Sequence, residues 1–247
     1  MSSTTTKDWF ENWFDSKYYH LLYKDRNDTE AEFFISNLLK YLQPEANSRF
    51  LDLACGRGRH SVMLNKLGHK VIGVDLSKNS IEFAKQFENE ALTFEVHDMR
   101  EMYYPEAFDY VFNLFTSFGY FNEDLENLNS LISVKNSLKR GGRLVIDFFN
   151  AEKVKQNLVR KETKTVDGIA FNIEREIAND KVIKHIRFES EGNSYHFTEQ
   201  VQLIDLDKFT DLFEQARLQI SDVFGSYNLD EYNENTSDRL ILIVSKL

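Results

Sequence analysis

Apolar residues recur along this chain in two rhythms. Ala31, Phe34, Ile35, Leu38, Leu39 and Leu42 fall at the three- and four-residue steps of one helix face. Thr29-Glu30-Ala31-Glu32 reads as the capping box that opens this helix, and Pro44 marks its end. Short apolar runs then alternate with helical ones. Strands are expected at 50–54, 71–75, 92–96, 108–115 and 143–149. Between them, helices are expected at 59–67, ended by Gly68, at 77–90, capped by Ser77, and at 125–139, stopped by Gly141 and Gly142. This alternation predicts an α/β architecture, a doubly wound parallel sheet with helices on both faces.

From 165 to 204 the rhythm shortens to two. Phe171, Ile173 and Ile177, then Val182, Ile186 and Phe188, then Tyr195, Phe197, Val201 and Leu203 alternate with polar residues. Turns at Asn179-Asp180 and Gly192-Asn193 divide the stretch into a three-stranded antiparallel meander. A helix capped by Asp205 or Asp207 and running through Ala216 follows, with strands at 220–224 and 240–244. Residues 7–26 hold Trp9, Phe10, Trp13, Phe14, Tyr18, Tyr19 and Tyr23, too apolar for a free tail. They are expected to pack on the core or to cover a ligand. The chain 1–247 is therefore expected to form a single domain, with an N-terminal helical lid (7–43), a ligand-binding core (49–150), a small antiparallel β insertion (165–204) and a closing helix with two strands (205–247) that complete the sheet.

Composition narrows the function classes. The net charge of −10 disfavours a phosphate backbone or an anionic membrane as partner. Lys135, Lys139, Arg140 and Arg143 cluster in sequence but suit the basic end of a helix. The single cysteine, Cys55, excludes an intramolecular disulfide and fits a reducing, cytoplasmic location. No apolar run approaches the ~20 residues of a membrane span, and no leader is evident. No Cys/His/carboxylate set has metal-ligand spacing, and His185 and His196 read as ordinary strand residues.

The chemistry concentrates where the first strand ends. Leu51-Asp52-Leu53-Ala54-Cys55-Gly56-Arg57-Gly58 runs a strand into Gly-x-Gly, and the next strand ends in Asp75-Leu76. Such a turn lets backbone approach a ligand, and an acid at the second strand end can accept both hydroxyls of a ribose. The third glycine of a dinucleotide fingerprint is replaced by Ser61, and no Gly-Lys-Ser/Thr phosphate loop occurs. The pattern fits a nucleoside without a pyrophosphate, and S-adenosylmethionine is the common ligand of that description.

With those residues in order, the chain resembles the class I S-adenosylmethionine-dependent methyltransferases, from about residue 18 onward and most strongly over 49–150. The resemblance implies a Rossmann-like seven-stranded sheet whose last strand, within 240–247, is antiparallel. It implies that Ala54, Cys55, Gly56 and Gly58 lie along the methionine and ribose parts of the cofactor. It implies ribose contacts for Asp75 and Leu76, adenine contacts for Asp98 and Met99, and an orienting role for Asp52. Leu114 and Phe115 are expected near the methyl group. The N-terminal part is loosely similar to glycine/sarcosine-type N-methyltransferases, which makes Tyr18, Tyr23 and Arg26 candidates for the cofactor's amino-acid end. His60, Tyr19 and Tyr120 are the candidate catalytic residues.

The expected activity is methyl transfer from S-adenosylmethionine to a small-molecule acceptor, releasing S-adenosylhomocysteine, by a monomer or homodimer. A protein methyltransferase and a non-catalytic cofactor sensor are the alternatives. Nucleic-acid methylation fits poorly, because Asn113-Leu114-Phe115-Thr116 stands where such enzymes carry Asn/Asp-Pro-Pro-Tyr/Phe.

Overall fold

The computed structural model describes residues 8–24 and 28–246. Two compact units result. One joins the N-terminal segment up to 26 with 157–203, and the other joins 27–156 with 204–247. The span 7–43 is thereby divided between them.

In chain order the first two helices, α1 (Trp9–Phe14) and α2 (Lys17–Leu22), belong to the smaller unit, and the larger unit begins with α3 (Asp28–Leu42), β1 (Arg49–Leu53), α4 (Arg59–Lys66), β2 (Lys70–Asp75), α5 (Lys78–Ala84), β3 (Leu92–Val96), β4 (Phe108–Asn113), α6 (Asp124–Ser137), β5 (Leu138–Phe149) and α7 (Ala151–Asn157). After the smaller unit it resumes with α8 (Leu206–Ala216), β10 (Leu218–Phe224) and β11 (Arg239–Lys246). Its seven strands lie in the order β10-β11-β5-β4-β1-β2-β3. β1 pairs in parallel with both β2 and β4, so the chain reverses its direction of travel across the sheet at β1. Ligands bind beyond the carboxyl ends of the strands at such a point. β11 runs antiparallel to both β5 and β10, as the resemblance implies.

The core follows from the continuous apolar runs. Leu240, Ile241, Leu242, Ile243 and Val244 of β11 are all fully buried, which suits a strand covered on both faces. Phe34, Ile35 and Leu38 of α3 pack in one cluster with Phe50, Phe94, Phe112 and Val145. Burial of each such side chain contributes about 1.5–3 kcal/mol.

Several boundaries differ from the sequence pattern for local reasons. Asp28 already belongs to α3, so Thr29 sits inside the first turn rather than at the cap. α5 ends at Ala84 and continues only as a 3-10 turn over Lys85–Phe87. β5 starts at Leu138 and runs through Gly141 and Gly142, which therefore do not stop a helix. β4 ends at Asn113, because Phe115 and Thr116 turn left-handed. Asp205, not Asp207, caps α8, accepting from the Lys208 amide at 2.9 Å.

The smaller unit contains α1 (Trp9–Phe14), α2 (Lys17–Leu22), β6 (Lys161–Val166), β7 (Ile169–Ala178), β8 (Lys181–Ser190) and β9 (Asn193–Gln202). The meander has four strands, in the order β6-β7-β8-β9, rather than three. The Asp167-Gly168 hairpin turn, left-handed at both residues, supplies the strand the sequence pattern omitted. One face of this sheet is aromatic and aliphatic. Phe171, Ile173, Ile186 and Phe188 cluster with Trp13, Tyr18 and Leu22, so the N-terminal aromatics have a core of their own. The other face carries exposed ion pairs such as Arg187–Glu174 and Lys161–Glu174. Among the described residues no helix is long and apolar enough to cross a membrane.

Candidate functional site

β1 ends at Leu53, and the next residues form a tight bend. Ala54 is left-handed (φ 61°), an uncommon state for a residue with a side chain. The Cys55 amide donates to the Val74 carbonyl at 2.9 Å, tying the bend to the end of β2. The Gly56 amide donates to Oδ2 of Asp75 and the Ser77 amide to Oδ1, each at 2.8 Å. Asp75 is therefore fixed in place by backbone on both of its oxygens. A carboxylate has about four lone-pair sites and can serve several donors at once.

The two glycines differ. A Cβ built on Gly56 meets nothing within 4 Å, so the turn faces open space there. One built on Gly58 (φ 82°) would stand 2.6 Å from the Phe94 ring, so that position is closed to any side chain by packing and by backbone together. Beneath the turn, Asp52 is 1% exposed and accepts from the Ser61 hydroxyl at 2.5 Å. Burial raises its carboxyl to about 6, against the opposing Ser61 hydrogen bonds. Cys55 is buried, and burial pushes its thiol well above the ordinary range, so it packs rather than reacts. An open glycine turn beside an acid held by backbone on both oxygens, above a buried carboxyl, is an arrangement that can seat a nucleoside.

Asp98 follows β3. Its carboxylate accepts a fork from Arg100, with Nη2 at 2.6 Å, and the Arg100 amide at 2.9 Å. Burial opposes its ionisation, but the Arg100 bonds outweigh this and hold the carboxyl below its usual range. Glu126 fixes the far side of Arg100 at 2.7 Å. Met99 is half-buried and Leu76 exposed beside these groups in sequence.

β4 leads to Leu114, buried, and then to Phe115 (φ 58°) and Thr116 (φ 61°). Two consecutive left-handed residues with side chains cost on the order of 1–2 kcal/mol each and persist only where surroundings impose them. Asp147 of β5 supplies much of that imposition. Its Oδ2 accepts the Phe115 amide at 2.8 Å, and its carbonyl accepts the Thr116 amide at 2.9 Å. Arg239 donates from Nε to Asp147 Oδ1 at 2.7 Å and from Nη2 to Thr116 Oγ1 at 3.0 Å. The Phe115 ring stacks on His60, centroids 4.9 Å apart, and the Arg59 guanidinium lies 4.6 Å from the Phe115 centroid. Tyr120 donates its hydroxyl to the Thr116 carbonyl.

The structure thus brings His60, Phe115, Thr116 and Tyr120 together at the end of β4. Arg59 Nη2 lies 3.4 Å from His60 Nε2; a guanidinium only donates, so Nε2 accepts. The sequence pattern does not single out Asp147 or Arg239. A lone acid inside Leu144-Val145-Ile146-Asp147-Phe148-Phe149 was the available signal, since a buried strand seldom carries one without a partner.

Tyr18, Tyr19 and Tyr23 belong to the smaller unit. Tyr18 is buried there between Phe188 and Tyr195, each ring 4.7 Å away. Tyr19 packs on Phe14 and Tyr23 at 4.9 and 5.0 Å. Tyr23 donates to Glu199 at 2.8 Å, beside Trp13 Nε1 at 2.6 Å from the same carboxylate. Arg26 lies outside the described residues. Among the described residues no group of three or more His, Cys, Asp or Glu is arranged to hold a metal ion.

Residues 44–217 match the family model described as a methyltransferase domain, well over half of the chain. The chain belongs to the S-adenosylmethionine-dependent methyltransferases. This methyltransferase is 29% identical over 196 residues to the dTDP-3-amino-3,4,6-trideoxy-alpha-D-glucopyranose N,N-dimethyltransferase of Streptomyces venezuelae, covering 76% of this chain and 81% of that one. It is 27% identical to the glycine/sarcosine N-methyltransferase of Aphanothece halophytica, covering 90% and 83%. Its fold is similar to that of an S-adenosylmethionine-dependent methyltransferase from Clostridium acetobutylicum, with a TM-score of 0.79, 20% identity and coverage of 95% and 98%.

Proposed function

We propose that this methyltransferase acts on an amine of a small molecule. The observation that carries the reading is Asp75, held by the Gly56 and Ser77 amides at the point where the sheet reverses. Support for a small amine comes from the two relatives above, both described as N-methyltransferases of small molecules. The single buried cysteine is in keeping with a cytoplasmic setting.

When bound, S-adenosylmethionine supplies a methyl group already activated by its sulfonium. In this reading Asp75 takes the ribose hydroxyls, as a charged acceptor well suited to them. Asp98 and Met99 take the adenine. The buried Asp52 balances the charge of the methionine ammonium, directly or through the turn it supports. Leu114 and Phe115 form an apolar wall, where attack in line depends mainly on orientation and on the exclusion of water.

In this reading no side chain acts as a general base. The Arg59 guanidinium 3.4 Å from His60 Nε2 disfavours a second positive charge on that ring, and the Tyr120 hydroxyl donates to the Thr116 carbonyl. The acceptor amine is therefore taken to arrive neutral, and catalysis to rest on placement.

The test is transfer from S-adenosylmethionine with a deuterated methyl group to a panel of amino sugars, amino acids and cell-extract metabolites, read by mass. Label in a small amine supports the reading. Label confined to protein moves the substrate class while keeping the chemistry. Tight cofactor binding with no label anywhere overturns the enzyme assignment in favour of a sensor.

A further inference from the structure

We propose that Asp147 and Arg239 are positioning residues for methyl transfer, acting through Phe115 and Thr116. The inference rests on the reading that the end of β4 borders the transferred methyl group. Four hydrogen bonds converge on this bend. The Phe115 and Thr116 amides donate to the side chain and carbonyl of Asp147, and Arg239 bridges Asp147 Oδ1 to Thr116 Oγ1. The Tyr227 hydroxyl stands 3.3 Å from Asp147 Oδ2 as a weaker addition. Asp147 is completely buried, and the Arg239 side chain is 18% exposed.

Strand pairing does not need this ion pair. The backbones of β5 and β11 pair through seven residues, Asp147 opposite Ile241 and Arg239 opposite Phe149, whatever the side chains. Apolar residues fill 240–244 of β11, and a buried ion pair adds little stability over apolar replacements of similar size. What apolar replacements cannot do is hold two left-handed residues by their amide and hydroxyl groups. Relaxation of Phe115 into an ordinary conformation would carry its ring off His60, with which it stacks at 4.9 Å, and away from Arg59 at the start of α4. The pair therefore fixes the wall of the reaction site from the opposite side of the sheet's centre, through backbone.

The test compares wild type with Asp147→Leu/Arg239→Met, Arg239→Lys, and Arg239→Lys/Thr116→Gly. S-adenosylhomocysteine affinity is measured by calorimetry and stability by thermal melting. The double apolar variant is expected to melt within about 5 °C of wild type and to bind S-adenosylhomocysteine about tenfold more weakly. Arg239→Lys keeps the ion pair but loses the fork to Thr116, and is expected to bind about threefold more weakly. Adding Thr116→Gly, which takes the left-handed conformation unaided, is expected to restore that loss. A purely structural role would move melting and affinity together and would show no such rescue. An intact melt with affinity within about twofold of wild type overturns the proposal. If the double variant does not fold, the lysine variant decides, and failure of glycine to restore its affinity overturns the proposal as well. Wild type that does not bind S-adenosylhomocysteine overturns the underlying cofactor reading too.

Discussion

Left-handed backbone occurs in both sheets, but on different residues. In the four-stranded sheet it falls at Asp167-Gly168, Asn179-Asp180 and Glu191-Gly192, all hairpin turns. Asn, Asp and Gly adopt it readily, Glu191 is carried with Gly192 in the same two-residue turn, and its hand matches the twist of paired strands. At the ends of β1 and β4 it falls on Ala54, Phe115 and Thr116, which resist it. At β4 it is held by tertiary hydrogen bonds to Asp147 and from Arg239, while Cys55 beside Ala54 is tied to Val74. Turn chemistry explains the first set locally. The second set has no local explanation, and it borders the candidate site. Strain imposed from a distance is thus a better pointer to function here than the conformation itself.

That contrast can be broken most severely at Gly58. Gly58→Ala combines a left-handed side chain with a clash on Phe94, and is expected to cost about 4 kcal/mol in urea unfolding. Wild-type stability in this variant would show that the turn is looser than its packing implies.

The next effect separates the buried acid of the large unit from the solvated acids of the hairpins. Asp52, raised from 3.8 to about 6 by burial, keeps its proton in the folded chain after the unfolded chain has released it. Its contribution is therefore most favourable below pH 4 and is lost as pH rises to about 6, by up to about 3 kcal/mol. Asp52→Asn should flatten the stability profile over that interval, measured by urea unfolding at successive pH values. An unchanged slope in the variant would assign the effect to other groups.

Asp75→Ala tests the binding edge directly. It should weaken S-adenosylhomocysteine binding by about 2 kcal/mol, through loss of charged hydrogen bonds. Equal calorimetric affinity in wild type and variant would remove Asp75 from the site. The smallest effect belongs to the hairpins. Gly192→Ala, also left-handed but with nothing within 4 Å of the added carbon, should cost only about 1 kcal/mol and leave cofactor affinity unchanged. A loss as large as that at Gly58 would erase the distinction between the two sheets.

Much of this was legible in the sequence. The strand and helix alternation, the Gly-x-Gly turn and Asp75 depend on residues close together in the chain, and their spacing carries the geometry. Asp147 and Arg239 stand 92 residues apart, so no local pattern joins them. Phe115 and Thr116 have strong preferences for extended backbone, which is why β4 was expected to continue to 115. Tertiary bonds overrode those preferences. The β6 strand was missed because Lys161–Val166 buries only Val166 fully and so lacks a clear alternation. The aromatic prefix was read correctly as too apolar for a free tail, but nothing in it named the sheet of 161–202 as its partner.

That partnership has a consequence for synthesis. Trp13 meets Glu199 across 186 residues, and the helices that carry Trp13, Tyr18 and Leu22 find their apolar surroundings only on strands made much later. At about 5–20 residues per second, these rings leave the ribosome roughly ten seconds or more before their sheet exists. The nascent chain must carry an uncovered aromatic segment while residues 27–156 of its larger unit are made, which leaves Trp13, Tyr18 and Leu22 open to capture by a chaperone during synthesis.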